Sequence, residues 1–235
     1  MTLFLTGASG FLGKNFIQEI LKKKYIIYAL SRKKRISKRI KWLKGDLDDD
    51  WSNVLKETDI FIHFASSDVK KFDNKESYET NFFKSKKILD KAVKNKCRKW
   101  LIVSTSSEFG VRSNKIKKID VNSNRLPYSD YGMSKAMFTD YCIKLAEKTK
   151  SKCRIMRLFP FYGKAEASKR FYPSLLKSIS NRKNFTINNP GEVRTFSDVK
   201  YISKILADSL NFKKKSFKTY QIWNVSEYKV FSVKD

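Results

Sequence analysis

Tyr131 and Lys135 stand four residues apart in Tyr131-Gly132-Met133-Ser134-Lys135, so on a helix they share one face. A phenol with an ordinary pKa of ~10 exchanges protons poorly at neutral pH. An ammonium beside it stabilises the phenolate, and proton exchange with a carbonyl or an alcohol becomes feasible. Standing alone, such a pair is an ordinary surface feature. A second motif changes that reading: Thr6-Gly7-Ala8-Ser9-Gly10-Phe11-Leu12-Gly13 follows directly on the apolar run Leu3-Phe4-Leu5. Gly7 permits a tight turn after a strand, Gly10 lets the backbone approach a pyrophosphate, and Gly13 lets the next helix pack on the sheet. Ser9, Phe11 and Leu12 complete this turn into the helix, whose free N–H groups and dipole attract phosphate. The spacing is G-x-x-G-x-x-G rather than the general G-x-G-x-x-G.

These residues need a frame. Short apolar runs predict strands at Leu3-Phe4-Leu5, Tyr25 to Leu30, Ile60 to Phe64, Trp100 to Ser104, Arg154 to Phe159 and Ile222 to Val225. Helical spacing recurs at Leu12, Phe16, Ile17, Ile20 and Leu21, and predicts further helices over 77–96 and 131–148. Strands alternating with helices imply an α/β, Rossmann-like doubly wound parallel sheet. Residues 1–162 form the dinucleotide-binding domain, to which 194–225 return. Residues 163–193 and 226–235 form a small C-terminal substrate-binding lobe. The polar stretch 110–130, just before a helix, is a candidate active-site loop.

Lys and Arg number 51 against 23 Asp and Glu, a formal charge of +28. The lysines are spread along the whole chain, among abundant Asn, Ile, Phe and Tyr. That is the pattern of an AT-rich genome rather than of a nucleic-acid-binding stripe. A positive field still favours anionic ligands such as nucleotides. Lys22-Lys23-Lys24 and Lys213-Lys214-Lys215 read as solvated helix ends or loops. No apolar run approaches the ~18 residues of a membrane span. The N-terminus lacks the basic region of a signal peptide, and a cytoplasmic protein is expected. Cys97, Cys142 and Cys153 are odd in number and far apart, so they read as reduced thiols. With His63 the single histidine, no metal site is expected.

The ordered motifs resemble the extended short-chain dehydrogenase/reductases, the branch of nucleotide-sugar epimerases, dehydratases and reductases, over about residues 2–225. By that resemblance Gly45-Asp46-Leu47 meets the adenine, and His63-Phe64-Ala65 lines the cofactor. Asn81 falls where the family has a helix asparagine beside the cofactor. Ser104-Thr105-Ser106-Ser107-Glu108-Phe109-Gly110 resembles the catalytic strand end, with Thr105 the catalytic hydroxyl and Ser106 and Ser107 lining the sugar pocket. Arg157-Leu158-Phe159-Pro160-Phe161-Tyr162-Gly163 resembles R-x-x-N-x-Y-G. Arg194 in Arg194-Thr195-Phe196-Ser197-Asp198-Val199 is the implied contact to a nucleotide diphosphate. Tyr131 and Lys135 become the catalytic pair and also touch the cofactor. A homodimer through helices around 82–96 and 131–148 is implied as well. His63 itself is assigned no proton transfer.

Three departures shape the expected reaction. Where NAD-binding members carry an acidic residue for the ribose, this chain has Ser31-Arg32, so NADP(H) is preferred and NAD(H) is the alternative. The Asp-Glu pair of sugar 4,6-dehydratases is replaced by Ser106 and Ser107, whose hydroxyls cannot serve as acid and base at neutral pH. Pro160 replaces an asparagine and offers neither amide nor N–H. The expectation is an NADPH-dependent reductase of a nucleotide-linked 4-keto sugar. A 4-epimerase with tightly held NAD is the first alternative, and a non-catalytic NADP-binding or nucleic-acid-binding protein on this fold the second.

Overall fold

A computed structural model describes residues 1–67, 75–110, 119–187, 191, 193–212, 218–227 and 230–232. Seven strands make one sheet: β1 (Thr2–Thr6), β2 (Ile26–Ser31), β3 (Lys41–Lys44), β4 (Ile60–His63), β5 (Lys99–Thr105), β6 (Lys152–Leu158) and β10 (Tyr220–Val225). Their order is β10-β6-β5-β4-β1-β2-β3, and every pairing is parallel. Consecutive residues of each strand therefore serve two cores. Leu3 and Leu5 of β1, Ile60 and Ile62 of β4, and Leu101 of β5 point to one face. Phe4, Phe61, Trp100 and Ile102 point to the other.

Helices α1 (Phe11–Ile20) and α7 (Val199–Asp208) cover the first face through Phe16, Ile17, Ile20, Ile202 and Leu206. Helices α2 (Ser52–Leu55), α4 (Ser85–Lys94) and α5 (Asp130–Thr149) cover the second, through Leu55, Ile88, Leu89, Phe138 and Cys142. This is the doubly wound, Rossmann-like α/β fold. The strand order reverses between β1 and β4, which opens a crevice at the carboxyl ends of the strands.

The expected helix over 77–96 divides. A short α3 (Lys75–Tyr78) leads into a widened π-type turn, Glu79–Lys84, and then α4. The wide turn seats Asn81 in the interior. Strand β3 and helix α7 have no counterpart among the strands and helices read from the apolar patterns. β3 sets adjacent, half-buried Trp42 and Leu43 between two exposed lysines, too short a run to stand out. Helix α7 starts with Asp198 as its cap, the side chain accepting from the Lys200 N–H at 2.6 Å.

Beyond β6 the chain forms β7 (Phe161–Tyr162), helix α6 (Phe171–Ser180), β8 (Val193–Thr195) and β9 (Ser197–Asp198), with β11 (Val230–Ser232) after β10. β7 pairs with β9, and β11 runs antiparallel to β8. Lys213-Lys214-Lys215, residues 111–118 of the candidate loop and the turn at 188–190 lie outside the described residues. No described helix is long and apolar enough to cross a membrane.

A buried chain of polar groups joins the two sides of the crevice. The Ala65 N–H donates to Thr6 Oγ1 (3.3 Å), which faces His63 Nδ1 at 2.8 Å. His63 Nε2 lies 2.8 Å from Ser85 Oγ, whose own proton goes to the Thr80 carbonyl (2.7 Å). Ser85 can then only accept, which places the imidazole proton on Nε2 and leaves Nδ1 to accept from Thr6. Burial, with a smaller contribution from the Lys135 charge, holds His63 well below its ordinary pKa. The unfolded chain therefore binds a proton that the folded one refuses. Stability is complete above the unfolded pKa of ~6.5 and falls as the pH drops below it. Urea titrations between pH 7.5 and 5.5 are expected to show this loss, and His63→Gln, in a chain with one histidine, is expected to flatten the slope.

Candidate active site

The glycine loop sits at the β1–β4 crevice. Gly7 adopts φ +69°, and a Cβ there would lie 2.5 Å from the backbone of Phe64 and Ala65. A Cβ on Gly13 would lie 2.3 Å from the Gly7 carbonyl oxygen. Both positions therefore require glycine if strand, loop and helix are to close up as they do. The Gly10 N–H donates to the Gly7 carbonyl at 3.0 Å and Gly10 opens α1. That helix start has no side-chain cap and no acid in its first turn, so its free amides and dipole could hold an anion. Ser9 is half-buried beside it. Phe11 stacks on Phe161 with ring centroids 5.3 Å apart, and Leu12 packs on the core.

Ser31 ends β2 buried, its hydroxyl accepting from Lys33 N (3.3 Å) and Arg35 Nε (3.2 Å). Arg32 beside it is exposed, and its charge acts on Asp46. The Asp46 carboxyl is held below its usual range although burial opposes this. The Leu47 N–H, the Lys84 ammonium at 3.1 Å and Arg32 all favour its anion. Leu47 itself is buried.

The wide turn places Asn81 at the crossing of three elements. Its Oδ1 accepts from Ser66 Oγ (3.0 Å) and Ser67 N (2.9 Å), and its Nδ2 donates to Ser67 Oγ and Ser134 Oγ, both at 3.1 Å. With the whole amide committed, Asn81 fixes the Ala65–Ser67 segment against α5. Phe64, at the start of that segment, packs edge-on against Phe16 of α1.

Thr105 closes β5 and caps a tight turn, Ser106–Phe109. Its Oγ1 accepts from Ser107 N (3.1 Å) and donates to Ser107 Oγ (3.2 Å). Tyr131, in the first turn of α5, comes to this strand end, while Ser106 and Ser107 sit half-buried beside Thr105. Burial pushes the Tyr131 phenol up, and hydrogen bonding with Ser66 and Thr105 pulls the other way, helped by the Arg170 charge. Lys135, expected to lower this pKa, instead donates to the Val103 carbonyl at 2.7 Å. It is buried, and burial brings its own pKa down to about 8 against the opposing pull of Glu108. The lysine thus stands behind the tyrosine, and the hydroxyls of Ser66 and Thr105 face it.

Ser66 and Glu108 escaped the sequence reading. Ser66 is one small residue past His63-Phe64-Ala65. Glu108 stood in the strand-end motif with no role assigned to it. It is fully buried, accepts from Thr139 Oγ1 at 2.6 Å, and pairs with Arg157 Nε at 3.0 Å and Arg125 Nη1 at 3.2 Å. Arg157 also donates to the Val121 carbonyl (3.0 Å) and lies over the Phe109 ring. Arg194 lies apart from this cluster, exposed on β8.

The family model for the NAD dependent epimerase/dehydratase family matches residues 3–225. The chain belongs to that family. A Bacillus subtilis (strain 168) protein described as an uncharacterized UDP-glucose epimerase, YtcB, is 24% identical over 226 residues, 86% of this chain and 69% of that one. The UDP-glucuronic acid 4-epimerase of Bacillus cereus, solved with UDP-glucuronic acid and NAD, superposes with a TM-score of 0.89. It is 21% identical and matches 99% of this chain and 80% of its own. The dTDP-glucose 4,6-dehydratase of Bacillus anthracis, solved with NAD, gives a TM-score of 0.85 at 17% identity, over 99% of this chain and 77% of its own. These structures establish the common fold.

Removing one partner of a buried, hydrogen-bonded ion pair costs about 3–5 kcal/mol. Arg157→Met is expected to destabilise the protein by that amount in urea unfolding, with Arg125 left as the remaining partner of Glu108.

Proposed function

We propose that this family member is a nucleotide-sugar 4-epimerase that inverts a carbinol carbon by oxidation and re-reduction within one turnover. The reading rests on one observation above the others: Tyr131 meets the Thr105 strand end and Ser66 at the crevice that the glycine loop opens. The relatives named as UDP-sugar epimerases support it. Ser106 and Ser107, where 4,6-dehydratases carry carboxylates, speak against water elimination.

A nicotinamide dinucleotide supplies a two-electron acceptor and donor when bound. Gly7, Ser9, Gly10, Phe11, Leu12 and Gly13 would hold its pyrophosphate, Ser31 and Arg32 its ribose, Asp46 and Leu47 its adenine, and Phe64, Ala65 and Lys135 its nicotinamide end. As the phenolate, Tyr131 accepts the proton of the sugar hydroxyl while the carbonyl forms, and as the phenol it returns that proton when the alcohol is rebuilt. Thr105 hydrogen-bonds that oxygen, Ser106 and Ser107 line the sugar pocket, and Arg194 meets the diphosphate. Asn81 acts through Ser66 and Ser67, which it holds in place. The scaffold contributes placement and a partly buried, preorganised polar setting.

Incubation with UDP-glucose and UDP-glucuronic acid is expected to yield the C4 epimer by NMR with no net change in NAD(P)H absorbance. Tyr131→Phe is expected to lower the rate by about 10²–10⁴-fold while leaving dinucleotide binding intact. Wild-type turnover in that variant would remove Tyr131 from the reaction.

Ser31-Arg32 favours a second reading, an NADPH-dependent reductase of a 4-keto sugar. No carboxylate ends β2, and an exposed guanidinium can pair with a 2′-phosphate. Stoichiometric NADPH consumption against a nucleotide-linked 4-keto sugar would select this reading over the epimerase. In either case Arg32→Asp is expected to turn the ratio of NADP⁺ to NAD⁺ affinity toward NAD⁺ by about tenfold or more, measured by calorimetry.

A further inference from the structure

We infer that Glu108 is a positioning residue: a buried anion that fastens the Thr105 turn to the helix carrying Tyr131 and Lys135. The inference deepens the proposed redox reading of this site and rests on it for its kinetic part.

Glu108 occupies the third position of the tight turn Ser106–Phe109 that Thr105 caps, yet its side chain is fully buried. A carboxylate is expensive to bury unless every lone pair is matched and a counter-charge is present. Here the matching groups come from four separate segments. Ser104 Oγ of β5 donates to Oε1, as does Thr139 Oγ1 of α5 at 2.6 Å. Arg157 Nε of β6 donates to Oε2 at 3.0 Å, and Arg125 Nη1, from the segment before α5, at 3.2 Å. Arg125 continues to Asp140 on α5 at 2.5 Å.

The consequence is geometric. Thr139 is one helical turn beyond Lys135, and Lys135 is one turn beyond Tyr131, so all three share a face of α5. Glu108 binds that face at Thr139 and reaches β5 at Ser104, the residue before Thr105. The distance between the Thr105 hydroxyl and the Tyr131 phenol is thereby set by one carboxylate rather than by the turn alone.

The consequence is also electrostatic. Burial disfavours the Lys135 ammonium, and Glu108 favours it. Cys142 on α5 adds a smaller effect of the same sign, while His63 on β4, the other titratable group in reach, is kept neutral partly by Lys135 itself. Around Tyr131, the Arg170 charge favours the phenolate and Glu108 opposes it. Removing the anion therefore lowers the proton affinity of both members of the pair, and the alkaline limb of a pH–rate profile moves to lower pH.

Two variants separate the roles. Glu108→Gln keeps an acceptor for Ser104 and Thr139 and removes the charge. Thr139→Val keeps the charge and removes one tie to α5. The readouts are the ¹³Cε titration of Lys135 in lysine-labelled protein, assigned by its loss in Lys135→Met, and kcat and KM against pH. In Glu108→Gln the Lys135 midpoint is expected to fall by about one unit, with the alkaline limb of kcat moving alike. In Thr139→Val the midpoint is expected to stay, while kcat falls about tenfold with KM unchanged. A folded Glu108→Gln with an unmoved Lys135 midpoint overturns the inference. Should Glu108→Gln not fold, wild-type kcat in Thr139→Val overturns it instead. A protein that turns over no nucleotide sugar defeats the proposed function, and the NMR titration still decides the role of Glu108.

Discussion

The structure depends on how closely two pieces of backbone approach one another where the sheet changes direction. β1 pairs with β2 on one side and β4 on the other, and the loop leaving β1 turns against the chain leaving β4. At Gly7 that approach leaves no room for a side chain, since the Phe64–Ala65 backbone fills the space. Because the loop is pressed there, α1 begins where its amides face the crevice. Because Phe64 and Ala65 are pressed there too, Ser66 emerges beside Tyr131 and Thr105. One steric constraint thus relates the uncapped start of α1 to the hydroxyls around the Tyr131 phenol.

Two buried polar assemblies keep the crevice in this shape. The first runs from Ala65 through Thr6, His63 and Ser85 to Thr80, and ties β1, β4 and the helical segment above them. The second centres on Glu108 and ties β5, β6 and α5. Asn81 separately ties the chain after β4 to α5 through Ser66, Ser67 and Ser134. In each, nearly every donor finds an acceptor, which turns groups that are costly to bury into fixed positions. The apolar residues give the sheet its two cores, and these polar assemblies decide where its functional edge lies.

Much of this was legible in the residues. The alternation of apolar runs with helical spacing led to the parallel sheet, because strands buried on both faces must be apolar throughout. The glycine spacing located the crevice, and Tyr131 and Lys135 shared a helix face as their spacing required. Other features were not local in sequence. The wide turn at Glu79–Lys84 is set by the interior partners of Asn81, which come from residues 66, 67 and 134. The partner of Lys135 is a backbone carbonyl of β5, so spacing to Tyr131 could not show that burial, rather than the phenol, governs its charge. Glu108 carried no role in the sequence because its partners lie on β5, β6, α5 and the segment before α5.

The proposed chemistry withdraws hydrogen from a sugar carbinol carbon and returns it to the opposite face. In the proposed cycle the glycine loop would seat the dinucleotide, and Tyr131 with Thr105 would exchange the proton. A UDP-sugar bearing deuterium at C4 tests this most directly. Epimer that keeps the deuterium at the inverted carbon, with none in water and none in the free dinucleotide pool, is the result predicted. Deuterium lost to solvent during epimerisation, or carried stoichiometrically into free dinucleotide, would contradict it.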